Sequence, residues 1–143
     1  MTQILYTNNI QPENRRIIQE HINGLRWLLP GWLHLLRVNL YDSGDTPGEL
    51  ASISVMYDYR EATLNMCCGW LDESPEHKMK AIVHELLHIH LNVLSDYAES
   101  KIDVLCPKDE QEKFNASIKA DLRERLEYVT HDLAKVLCDK MEI

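Results

Sequence analysis

No uninterrupted apolar run in this chain exceeds a few residues, which excludes a transmembrane helix and a signal-peptide core. The first residues, Met1-Thr2-Gln3-Ile4, carry no basic stretch, so a cytosolic protein is expected. Positive charge is scarce: 15 Lys and Arg stand against 23 Asp and Glu, a formal net charge of −8. Broad contact with nucleic-acid phosphates needs a basic face, and an acidic surface is repelled by anionic membranes. Neither a nucleic acid nor a membrane is therefore an expected partner. The 4 cysteines, Cys67, Cys68, Cys106 and Cys138, form neither a C-x-x-C pair nor a zinc-ribbon spacing. They read as reduced thiols acting as small apolar residues. There is no internal repeat, low-complexity tract or flexible linker. What remains is an ordinary globular composition, 45% apolar over 143 residues, which fits one domain spanning residues 1–143.

The periodicities outline that domain. Pro12 suits a first helical position, and Ile17, Ile18, Ile22, Leu25 and Leu29 recur at helical spacing until Pro30-Gly31. Residues 36–41 alternate apolar and polar, as a half-buried strand does. The loop-like run 43–48 follows. Two more alternating runs, 51–57 and 62–68, lie close enough to form an antiparallel hairpin turned at residues 58–61. Ser74-Pro75-Glu76 reads as N-cap, first-turn proline and acidic first turn of a helix reaching about Asn92. In residues 93–107, Tyr97, Ile102 and Val104 suggest a packed, partly helical crossing. A last helix, starting between Asp109 and Ser117, runs to about Asp139 with Ile118, Leu122, Leu126, Val129, Leu133, Val136 and Leu137 as its apolar face. The expected fold is α+β: an N-terminal helix, a small, mainly antiparallel three-stranded sheet and two further helices. Trp27, Trp32 and Trp70 read as core or rim aromatics.

The chemistry lies in Ala81-Ile82-Val83-His84-Glu85-Leu86-Leu87-His88-Ile89-His90, which contains H-E-x-x-H. Such a pattern arises in about 3% of shuffled chains of this composition, so its setting inside a strongly periodic helix matters. Histidines four apart stand one turn above each other on one helix face. Their imidazoles converge on one zinc ion at roughly 2.0–2.1 Å. Glu85 stands beside that face, placed as general base for a metal-activated water. His90 is rotated roughly 120° from His84 and reads as a solvated or supporting histidine. A third histidine six residues after His88 is absent, because that position is Leu94, and Leu91 stands where one such family has glycine.

A carboxylate from a later helix is the remaining solution, and here the chain resembles the gluzincin metallopeptidases, above all their minimal single-domain, phage-like versions. The specific match is H-E-x-x-H; the order of elements over residues 12–140 follows. The resemblance implies a zincin-like fold and one Zn²⁺ per chain held by His84, His88 and a downstream Glu. It also implies a peptide or protein substrate and hydrolysis with Glu85 as base. For the third ligand Glu127 is preferred over Glu124. By helical geometry Glu124 lies nearly opposite the apolar centre and Glu127 roughly 135° from it. Asp96 and Glu99 are weaker candidates. The thermolysin-like branch has Asp four residues after this Glu; here His131 stands there. Tyr128 or His131 would stabilise an oxyanion, or simply pack and face solvent. Were the strand 62–68 a sheet edge beside the site, a substrate peptide would add to it as another strand. The alternative reading is a zinc-binding scaffold that interacts without cleaving, because a lone domain lacks the second lobe that walls a cleft.

Overall fold

The computed structural model describes residues 1–42, 48–105 and 112–141. The chain order is β1 (Gln3–Tyr6), α1 (Pro12–Gly24), β2 (Leu35–Tyr41), β3 (Ala51–Met56), β4 (Glu61–Cys67), α2 (Pro75–Leu105) and α3 (Glu112–Lys140). The architecture is α+β, with helices over one face of a mixed sheet. The expected loop at 43–47, Cys106 and the start of the last helix before Glu112 lie outside the described residues. Among the described residues no helix is long and apolar enough to cross a membrane.

The sheet corrects the expectation of three mainly antiparallel strands. Among the described residues it has 4 strands in the order β1-β2-β4-β3. β1 runs parallel to β2, and β2 parallel to β4, with Leu36 opposite Ala62 and Val38 opposite Leu64. Only the β3–β4 hairpin is antiparallel, as its short connection requires, with Ile53 opposite Leu64. Arg60 makes that turn in the left-handed region, φ 56°, and its carbonyl accepts the His34 N–H at 2.8 Å, tying the turn to the start of β2. β1 escaped notice because it is only 4 residues long and half-buried at Ile4 and Tyr6 alone.

The pleat divides the sheet by chemistry. Leu36, Val38, Ala62, Leu64 and Met66 are fully buried on the helix-covered face. The other face carries an Asn39–Asn65 hydrogen bond of 3.0 Å and an Arg37–Glu61 ion pair at 3.6 Å. Ile18 and Ile22 of α1 and Ile82, Val83, Leu86 and Ile89 of α2 complete the core. α1 stops at Gly24 rather than Leu29, and a 3-10 turn at Arg26–Leu28 carries Leu28 inward. Trp70 is fully buried and donates its indole N–H to the Lys78 carbonyl at 3.0 Å, while Trp32 packs on Tyr57 and Trp27 is exposed. Cys67 and Cys138 are buried, consistent with their reading as small apolar residues.

Two helices differ from expectation, and both differences bear on the site. α2 does not end near Asn92 but continues to Leu105. Beyond residue 92 it buries only Ser95, and Tyr97 and Val104 are exposed, so the packed crossing expected there is instead a helix with its apolar side chains largely outward. The expected apolar face of α3 is inward only in part: Ile118, Leu122, Leu126 and Leu137 are half-buried, but Val129, Leu133 and Val136 are exposed, and Thr130, Ala134 and Cys138 take the buried positions. Side-chain pairs between the two helices run in opposite order along the chain, so α3 packs antiparallel to α2.

Candidate metal centre

The N-terminal half of α2 lies on the sheet. Ser74 caps it by accepting the His77 N–H at 3.3 Å, with Pro75 in the first turn. Burying Ile82, Val83, Leu86 and Leu87 against the sheet turns His84 and His88 toward α3. Their Nε2 atoms stand 3.2 Å apart. Glu127 of α3 reaches both: Oε1 lies 2.7 Å from His84 Nε2, and Oε2 lies 3.1 Å from His88 Nε2. One ligand atom from each of the three falls within 4.8 Å of the others. Four donors at roughly 2.0–2.1 Å from a tetrahedral zinc sit about 3.3 Å apart, so the 3.2 Å nitrogen spacing already fits that edge. Two imidazoles and one carboxylate, with room for a fourth donor, form a donor set suited to zinc.

The tautomer is also prepared. His88 Nδ1 donates to Asn92 Oδ1 at 3.1 Å, which leaves Nε2 free to present its lone pair. Asn92 was not singled out in the sequence, although it stands four residues after His88 and therefore on the same face. Burial, the largest cause, lowers the pKa of His84 below the usual imidazole range; the Glu127 charge opposes this, and His88 and His131 add to it. The neutral, ligating form is thereby favoured.

A cleft of about 450 Å³ opens beside this cluster. Glu49 and Ala51 wall it at the start of β3, Lys80 and Glu85 on α2, and Glu127 and His131 on α3. Burial, with the charges of Glu127 and Glu49, pushes the Glu85 carboxyl up to about 8. A dication at the neighbouring cluster would counter that repulsion and favour the ionised carboxylate. His131 lies in the cleft, its ring centroid 6.3 Å from that of His84.

Other candidates are placed elsewhere. The Tyr128 hydroxyl donates to Glu124 Oε1 at 2.9 Å, and Tyr128 is exposed and does not line this cleft. Glu124 is therefore engaged away from the histidines. Glu99 binds Arg123 through both carboxylate oxygens, and Asp96 is exposed, so neither joins the cluster. His90 has a structural partner instead: its Nε2 lies 2.6 Å from the Leu28 carbonyl oxygen, tying α2 to the 3-10 turn after α1. The expectation of β4 as a peptide-accepting edge is corrected too. β4 is paired on both sides, and β3 is the sheet edge beside the cleft. In comparisons with known proteins, no family model, no curated protein and no solved structure matches this chain.

Proposed function

We propose that this chain is a zinc-dependent peptidase of gluzincin type, with His84, His88 and Glu127 as the metal-holding residues. The observation that carries the proposal is the convergence of Glu127, from a different helix, on the two histidines of H-E-x-x-H at 2.7 and 3.1 Å. A carboxylate 39 positions along the chain from His88 has no local reason to be there. When bound, zinc supplies Lewis acidity that acidifies a water and polarises a carbonyl. Glu85 takes the proton of the attacking water and returns it to the leaving amine. His131 donates a hydrogen bond to the oxygen that gains charge as the carbonyl becomes tetrahedral. An extended substrate segment lies along the free edge of β3, whose backbone supplies the pairing groups.

A non-cleaving zinc scaffold is the second reading. It is favoured by the 55% exposure of the Glu127 side chain, which leaves a proposed ligand open to solvent. Metal analysis and turnover separate the two. Protein purified without chelator holds about one zinc per chain, and His84→Ala or His88→Ala loses it. Glu85→Gln keeps the zinc and abolishes cleavage of a mixed peptide library. Zinc retained in full by both histidine variants overturns the metal site. Zinc bound with no turnover by the unaltered chain leaves only the scaffold.

A further inference from the structure

Along α3 the half-buried Ile118, Leu122 and Leu126 lead into the buried Thr130, Ala134 and Cys138. Lys119, Arg123 and Glu127, spaced one turn apart, flank that row and reach α2. After Glu127 the inward row leaves the apolar stripe, and Val129, Leu133 and Val136 are 49%, 39% and 53% exposed. Two ion pairs join the helices one and two turns before Glu127. Arg123 Nε and Nη2 grip Glu99 Oε1 and Oε2 at 2.7 and 2.9 Å, a two-point fork, and Lys119 pairs with Asp103. The Glu99 side chain is only 19% exposed, so the fork is anchored on the half-buried side of α2. Fork geometry resists rotation in a way a single contact does not. Arg123 and Glu99 also line a second cavity, of about 260 Å³, together with His88, Asn92 and Glu127. The pair therefore shares a cavity with the candidate metal ligands.

We propose that the Glu99–Arg123 pair is a positioning element: it fixes the rotation of α3 and so presents Glu127 to His84 and His88. The inference rests on the metal-site reading above. Geometry gives its leverage. A carboxylate roughly 6 Å from the helix axis moves about 3 Å when the helix turns by 30°. Ligand distances tolerate only about 0.2 Å. A small rotation is enough to lose the third ligand while the helix itself stays folded.

Zinc affinity, measured by competition with a chromophoric chelator, tests this alongside thermal unfolding. Glu99→Gln and Arg123→Ala should each weaken zinc about tenfold, within the range seen for groups that orient ligands. Arg123→Lys keeps the charge but not the fork, so it should fall between. The exchange Glu99→Arg with Arg123→Glu rebuilds the pair in reverse and should recover most of the affinity. Arg16→Gln, which breaks an exposed pair with Glu20 on α1, should leave zinc affinity unchanged. Lowered unfolding temperature with unchanged zinc affinity in Glu99→Gln and Arg123→Lys overturns the proposal, since the pair is then only structural. Unaltered protein that binds no zinc overturns the metal site and this inference with it, an outcome distinct from variants that bind as well as the parent.

Discussion

Glu85 gives a prediction that needs neither substrate nor turnover. Its carboxyl is pushed from 4.5 up to about 8 in the folded chain, first by burial and then by Glu127 and Glu49. In the unfolded chain it titrates as an ordinary glutamate. Between these two values the folded state binds the extra proton, so stability must fall as pH rises from about 4.5 to 8. Fully expressed, such a difference corresponds to at most about 5 kcal/mol at pH 8, from roughly 1.36 kcal/mol per pH unit. Solvent access at the cleft reduces that to on the order of 2–3 kcal/mol. Glu85→Gln has nothing to ionise, so the metal-free variant should gain on the metal-free parent by this amount at pH 8. At pH 4.5 the gain should nearly vanish. Urea unfolding of both proteins in chelator, at half-unit steps from pH 4.5 to 8.5, measures the difference directly. His84 and other groups add their own slopes, but these are common to both proteins and largely cancel. Saturating zinc should flatten the parent's curve, because a dication offsets the repulsion from Glu127. Parallel stability curves for the two metal-free proteins across the whole range would refute the argument, and with it the burial of Glu85 as a carboxyl.

Two further predictions concern the ligands and their support. Glu127→Ala removes one of the three proposed ligands, so zinc should weaken by at least ~10–100-fold, whereas Glu124→Ala should have little effect; the reverse result in a chelator competition would mean that α3 is rotated to present Glu124. Asn92→Ala frees the Nδ1 side of His88 and should weaken zinc by ~10–100-fold with little change in unfolding temperature, and an unchanged affinity would remove Asn92 from the site.

The periodic elements were legible because their causes are local. The Ser74-Pro75 start of α2, the stripe of α1 and the β3–β4 hairpin each follow from neighbours in the chain. So does the pairing of His84 with His88, which one helical turn enforces. The second half of α2 was not legible: it buries only Ser95, and its apolar residues Val93, Leu94, Tyr97, Val104 and Leu105 are exposed, so no buried stripe sets the helix there. It is held to α3 by ion pairs between residues distant in sequence, including Glu99 with Arg123. β1 was missed for a related reason, since 4 residues half-buried at Ile4 and Tyr6 alone gain their hydrogen bonds only by lying beside β2.

By itself, then, the sequence determined two imidazoles on one helix face, a carboxyl beside them and the helices and hairpin that frame them. The tertiary structure alone decided that β4 inserts between β2 and β3, which makes β3 the exposed edge beside the cleft. It also decided which carboxylate meets the histidines. Hydrophobic periodicity places Glu127 well off the inward direction; in the fold the inward row after Leu126 runs through Thr130, Ala134 and Cys138, which leaves Glu127 beside the histidines and Val129, Leu133 and Val136 exposed. The reason is physical: a helix's angular position is a sum of contacts with its neighbours, and residues far apart in the chain supply those contacts.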